Sequence, residues 1–246
     1  MARSAWCRMG LMALWGMLPW LALASTTVIH AVTEETPWAF VSNGKVAGTA
    51  TEVVQRTLTR AGYRFQLSLY PWARSYEMAL RQPDVLIYLI ARTPARENQF
   101  KWVGEVVRFR PYLYKLKDTP PITLRSLSDA MSYNIGVVRD DVSQQYLQKK
   151  GFHRLIVSSS ALNNFQLLLA RQVQMVPLLP EEPAAYCARL KADCTRLEKV
   201  FALDELTTKL YMAYSQQTSD EVVNRTRQAF EALRAAGVVD HIMAPR

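Results

Sequence analysis

Apolar residues in this chain switch between strand-like and helix-like spacing in two successive blocks. That doubled β-α-β-α-β pattern limits the possible folds more than any other feature. Residues 27–32 are short, apolar and β-branched and read as a first strand. Residues 34–37 break it, and Asn43-Gly44 marks a turn. Val53, Val54, Leu58 and Ala61 then share one helical face, and Gly62 ends that helix. Tyr63, Phe65, Leu67 and Leu69 alternate with polar neighbours, as in a strand with one face buried. Pro71 opens a helix with Trp72, Tyr76, Ala79 and Leu80 inward, and 85–90 is a continuous apolar run suited to a strand buried on both faces.

The pattern then restarts. Residues 135–138 read as a strand, 142–150 as a helix ended by Gly151, and 155–157 as a strand. Residues 161–170 read as a helix, with Leu162, Phe165, Leu168 and Leu169 inward, and 173–176 as a further strand. Two α/β units in one chain imply two lobes with a cleft between them, and ligands favour such clefts beyond the carboxyl ends of strands. The tail differs: 209–215 is a strand, Ser219-Asp220 caps a long helix, and Gly237 terminates it. No Gly-, Ser- or Pro-rich linker, low-complexity segment or short repeat interrupts the sequence.

Half of the 246 residues are hydrophobic, enough for a substantial core, and the 21% charged fraction argues against disorder. The net charge of +9 is scattered, without a basic arm or a nucleic-acid-binding motif, so nucleic acid is not an expected partner. The charge reads as solubility, with a weak pull toward anionic ligands.

Arg3 and Arg8 precede an uncharged apolar run over 9–24, and Ala22-Leu23-Ala24 has the small residues of a cleavage site. This reads as a signal peptide over 1–24, cut before Ser25, and hence as a periplasmic protein. The run is shorter than the roughly 20 residues a spanning helix needs. No Cys follows it to carry a lipid. Cys7 leaves with the signal, so Cys187 and Cys194 remain as an expected disulfide; a metal site there would need further ligands, and no His or third Cys lies near. His30, His153 and His241 are dispersed, and no nucleophile elbow or phosphate loop occurs. The expectation is no metal, no cofactor and no enzyme.

The order of residues resembles a family. Gly44-Lys45-Val46-Ala47-Gly48, Pro71-Trp72, Asp84-Val85-Leu86-Ile87 and Arg92-Thr93-Pro94-Ala95-Arg96-Glu97, followed by Phe100, Trp102 and Pro111-Tyr112, resemble the type II periplasmic solute-binding proteins. The branch is family 3, the polar amino-acid type, and Thr93-x-x-Arg96 is the most specific motif. The resemblance implies an α/β, two-lobed periplasmic-binding-protein-like fold, each lobe a sheet flanked by helices, with a hinge between them. It places lobe 1 at 25–112 and 208–246 and lobe 2 at 113–207. It implies a monomer that closes on a small polar ligand, an amino acid or related carboxylate, and meets the permease of an ABC-type importer. A membrane receptor served by the same lobes, a dehydratase on the same fold, or a degenerate site are the alternatives.

Arg96 follows a buried strand and is expected in the first turn of a helix, with Thr93 as N-cap. A guanidinium there suits a carboxylate, and the resemblance gives Arg96 that role. Ala91 stands where the family often has Ser or Thr, leaving only its backbone N–H. Arg139-Asp140-Asp141-Val142-Ser143 opens a helix, and the resemblance implies that this helix start lends N–H groups from lobe 2. Asp141 there is either a helix cap or a cleft residue that prefers an ammonium group. Within Leu178-Leu179-Pro180-Glu181-Glu182, Glu181 is the nearest partner for a ligand ammonium, against a solvated surface role. Glu35 is a further candidate where the family often has an aromatic. Trp38 is placed at the cleft edge, while Tyr70 and Trp72 fit the core equally well.

Overall fold

The computed structural model describes residues 27–117 and 121–244. Residues 1–24, read from the sequence as a signal peptide, therefore lie outside the described residues.

Strand β1 (Val28–Thr33) leads into a hairpin of β2 (Phe40–Ser42) and β3 (Lys45–Ala47). Asn43 and Gly44 turn it with φ of 49° and 72°, the positive pair a two-residue hairpin loop requires. Helix α1 (Thr49–Arg60) buries Val53, Val54 and Leu58, as its periodicity demands. Strand β4 (Arg64–Leu69), helix α2 (Trp72–Arg81) and strand β5 (Val85–Ala91) follow. Every residue of β5 is buried, because β5 runs through the middle of its sheet. The long β6 (Phe100–Phe109) and then β7 (Tyr112–Leu116) complete the first half.

The second block comprises β8 (Ile135–Val138), α3 (Val142–Lys149), β9 (Leu155–Ser158), α4 (Ala161–Leu169) and β10 (Val176–Leu178). Helix α5 (Glu182–Leu190) and β11 (Leu197–Ala202) follow. Strand β12 (Thr208–Ser215), α6 (Asp220–Ala235) and α7 (Val238–Met243) close the chain. Ser219 caps α6 by accepting from the Val222 N–H at 3.3 Å.

These strands separate into two groups. One sheet has the order β4-β1-β5-β12-β6, with β1 parallel to β4 and β5, and β12 antiparallel to its neighbours. Packing on it is tight: a Cβ added to Gly104 on β6 would lie 2.1 Å from the Phe230 ring on α6. The second group contains the antiparallel set β10-β7-β11 and the parallel pair β8-β9. The two parts are tied by a parallel bridge between Ile135 and Met175.

The chain passes between the groups twice, from β6 to β7 and from β11 to β12. The two crossings touch: the Leu203 N–H donates to the Pro111 carbonyl at 3.0 Å, and Arg110 pairs with Asp204 at 2.8 Å. The molecule is therefore two-lobed, each lobe a sheet flanked by helices and joined by paired connections that form the hinge.

The fold also departs from the sequence reading in two places. The strand expected at 173–176 lies further on, at Val176–Leu178. Pro177 fits there because β10 is the outer strand of its set, where a missing N–H is tolerated. The helix expected to hold Arg96 is only a single 3-10 turn, Glu97–Gln99, with Arg96 just before it and no side-chain cap. The Thr93 hydroxyl is buried without a hydrogen-bond partner, and its carbonyl accepts from the Arg96 N–H at 2.9 Å. Cys187 and Cys194 form the expected disulfide, with Cα atoms 5.7 Å apart, pinning the end of α5 to the turn after it.

Candidate functional site

A largely enclosed cavity lies between the two lobes, beyond the carboxyl ends of β1 and β5. Its volume is about 70 Å³, counted as room for the centres of water-sized molecules. Thr33, Glu34 and Trp38 line it after β1, and Leu89 and Ala91 line it from β5. Leu89 has a φ of 61° inside an otherwise extended strand. The ladder to β12 skips it, passing from Tyr88↔Met212 to Ile90↔Tyr211. This bulge turns a strand residue toward the cavity, a distortion that recurs beside binding sites. Phe109 and Pro111 contribute from the first crossing.

Arg96 is the buried cation of the cavity, 1% exposed. Its guanidinium lies 5.0 Å from the centre of the Tyr76 ring and 5.7 Å from that of Trp72, so aromatic faces offset part of its lost hydration. Nη1 donates to the Ala91 carbonyl at 3.4 Å, and Nη2 to the Asp140 carbonyl of the opposite lobe at 3.0 Å. Trp72 Nε1 donates to the same carbonyl at 3.0 Å. Asp140 presents that oxygen from a left-handed conformation, φ 59°, which Asp adopts more readily than most residues. Arg96 Nε is buried without a partner.

Three carboxylates line the same cavity, Glu34, Asp141 and Glu182, and Asp141 is the one on which Arg96 acts directly. Glu34 is half-buried as a residue, but its Oε2 is shut away from solvent without a hydrogen bond. Burial, reinforced by Asp141 and Glu182, raises its pKa well above the usual carboxylate range. Asp141 is the N-cap of α3, accepting from the Val142 N–H at 2.6 Å and the Ser143 N–H at 3.2 Å. Its pKa is raised by burial, against the opposing pull of Arg96 and of those N–H groups. Glu182 accepts from the Leu179 N–H at 2.7 Å and the Tyr186 hydroxyl at 3.0 Å. Burial pushes its pKa up to about 7.

Of the residues named from sequence, Arg96, Ala91, Trp38 and Asp141 line this cavity together. Asp141 is both cap and cavity residue, so the two roles weighed for it are compatible. Glu35 and Glu181 do not line it. Glu35 points away and pairs with Arg189 of α5, on the other lobe. Glu181 is exposed. In each case the adjacent Glu, Glu34 or Glu182, turns inward instead. The reason is one residue of phase: beyond a strand end, a one-position slip moves a side chain from one face to the other. Glu182 carried a readable signal, since it stands four residues before Tyr186 on one helix face.

No protein-family model matches the chain, and no curated protein matches it. Solved structures do. A histidine kinase sensor domain with similarity to periplasmic binding proteins is 20% identical over 89% of this chain and 94% of its own, with a TM-score of 0.76. An ancestral arginine-binding protein bound to arginine is 17% identical over 87% of this chain and 96% of its own, at a TM-score of 0.75. The substrate-binding protein of an amino acid ABC transporter is 14% identical over 88% and 97%, at a TM-score of 0.73. At such identities the likeness is one of architecture, and this chain has the two-lobed fold of the periplasmic amino-acid-binding proteins.

Proposed function

We propose that the chain is a solute-binding protein that encloses a small polar ligand, amine-bearing and of amino-acid size or less, between its lobes. The observation that carries this reading is the inter-lobe cavity, whose lining sets one buried guanidinium among three carboxylates, Glu182 buried and Glu34 and Asp141 half-buried. Such groups are costly to bury unless something in the cavity compensates them. Lobe 1 in this reading comprises residues 25–112 and 208–246 and lobe 2 residues 113–207, with the crossings near Pro111 and Leu203 as the hinge. Ligand binding draws the lobes together, and the closed form is what a membrane partner recognises. The partner is the permease of an ABC-type importer, the protein is an exported monomer of the periplasm, and no catalysis is assigned to it.

A second reading has a specific observation behind it. The similarity to a histidine kinase sensor domain supports a role in reporting the ligand to a membrane receptor. Both readings share the ligand-binding step and differ in whether the closed protein then meets a permease or a receptor.

The test is a thermal-shift screen of the purified protein, without its signal segment, against amino acids, amines and small carboxylates. A true ligand at 100 times its Kd adds about 2.7 kcal/mol of stability by mass action, a shift of several degrees. If no solute in such a screen raises the melting temperature, the reading fails. Uptake of the identified ligand by cells with and without the gene then separates transport from sensing.

A further inference from the structure

We infer that the cavity selects a small aliphatic diamine without a carboxylate, because three carboxylates line it against one guanidinium, and that guanidinium is already drawn on by the protein's own Asp140 carbonyl. This rests on the reading of the chain as a ligand-enclosing protein.

Two sets of donors at the cavity could hold an anion. The first is the Arg96 guanidinium, whose Nη1 and Nη2 are given to the carbonyls of Ala91 and Asp140. The second is the start of α3, where the Val142 and Ser143 N–H groups both end on Asp141. The two Arg96 bonds use two of the five N–H groups of the guanidinium, and Nε is buried without a partner. An incoming carboxylate on Arg96 would share it with the Asp140 carbonyl and sit within reach of the Asp141 carboxylate. Like charges that close, shielded from water, repel strongly.

The acceptors are in the opposite condition. Glu34 Oε2 is enclosed with no donor. Glu182 receives one hydrogen bond at each oxygen, and each oxygen has a further lone pair. The cavity thus offers more carboxylate acceptors than cationic donors.

Charge leads the same way. Were all three carboxylates ionised, the one guanidinium would leave two negative charges uncompensated. A neutral amino acid, being a zwitterion, leaves that deficit as it is. A basic amino acid halves it. An aliphatic diamine, with an ammonium at each end, cancels it.

Size gives an independent reason. At ~10–15 Å³ for each water-sized position, the 70 Å³ cavity has room for about five to seven such positions. A four- or five-carbon diamine has about six or seven non-hydrogen atoms against about ten in lysine and about twelve in arginine, so it enters so confined a space with less opening of the lobes. The walls contributed by Trp38, Trp72, Leu89 and Phe109 suit a methylene stem.

The experiment is isothermal titration calorimetry on the purified protein at pH 7.5 with 1,4-diaminobutane, 1,5-diaminopentane, lysine, arginine and glutamine. The expected result is at least tenfold tighter binding of one diamine than of any of the three amino acids. An amino acid that binds as tightly as either diamine overturns the inference and keeps the solute-binding reading. So does failure of all five when the wider screen finds another tight ligand. If no solute binds at all, both fall.

Asp141→Asn supplies the second arm, because Asn caps helices as well as Asp does and only the charge is lost. The diamine-to-lysine affinity ratio should fall at least tenfold in this variant. An unchanged ratio would mean that Asp141 is a helix cap only, and the inference would be wrong.

Discussion

Arg96 Nη2, on one lobe, donates to the carbonyl oxygen of Asp140, on the other, at 3.0 Å. Because the donor is charged, this is a charge-assisted hydrogen bond between the lobes, stronger than one between neutral groups. It also gives the buried cation a structural task, holding the cavity shut, separate from any contact with a ligand.

Replacing that cation should therefore act on stability first. Arg96→Ala removes the sole cation among the cavity residues and leaves Glu34, Asp141 and Glu182 facing one another. Breaking a buried charge arrangement costs about 3–5 kcal/mol. The melting temperature should drop by roughly 6–20 °C at pH 7.5. The drop should shrink at pH 5, where the carboxylates hold protons. Arg96→Lys should recover part of the loss. A melting temperature unmoved by Arg96→Ala would refute the structural task.

Trp72 offers a gentler probe of the same contact. Its Nε1 donates to the Asp140 carbonyl at 3.0 Å, while its ring is 3% exposed and packs in the core. Trp72→Phe keeps most of the ring and removes the donor. One hydrogen bond is worth about 0.5–1.5 kcal/mol, so ligand affinity should weaken about 2- to 13-fold. The free protein should open in step, which small-angle scattering would record as a larger radius of gyration. Unchanged affinity and radius would mean that this bond has no part in closure.

The disulfide acts elsewhere. Cys187 and Cys194 are seven positions apart and join the end of α5 to its following turn. Closing so short a loop stabilises by roughly 2 kcal/mol in the chain-entropy account. Cys187→Ser with Cys194→Ser should lower the melting temperature by about 4–8 °C with little effect on ligand affinity. A large affinity loss would show that α5, which begins with Glu182, depends on this bridge for its position.

Much of this architecture was legible because burial imposes simple periods on sequence. The continuous apolar run of β5 and the one-faced α1 are properties of single elements, and each was readable alone. The strands β6, β7 and β11 were not, since β7 owes its role to partners more than 50 residues away: Val176 opposite Tyr114 and Leu197 opposite Leu116. The cavity was legible where a motif fixed the position, as for Arg96. It was not where orientation decided, as for Glu34 over Glu35 and Glu182 over Glu181. The positive φ of Leu89, which shapes one wall, leaves no trace in an apolar run.

The pH dependence of stability arises from the three cavity carboxylates. Glu34, Asp141 and Glu182 all have folded-state pKa values above their ordinary ones, with burial the largest cause. The charged groups around them are Arg96 from the first lobe and Glu181 from the second, with Glu35 and Arg189 paired nearby. For Glu182 the unfolded value is 4.5 and the folded value about 7. Below the lower value both states hold the proton, and above the upper value neither does. Between them the folded state alone is protonated, so stability falls as pH rises through this window. Glu182 by itself accounts for roughly 3 kcal/mol of that fall. The exposed carboxylates Glu97, Asp129, Asp193 and Asp220 have lowered pKa values and act with the opposite sign, but below the usual carboxylate range. The free protein should thus melt at a higher temperature at pH 5 than at pH 7.5, and Glu182→Gln should flatten the slope. A cationic ligand reverses the preference by favouring the ionised carboxylates, so its affinity should rise over the same window with release of protons. Calorimetry in two buffers of different ionisation enthalpy would measure that release. A melting temperature that instead climbs from pH 5 to 7.5 would show that these carboxylates are already compensated in the free protein.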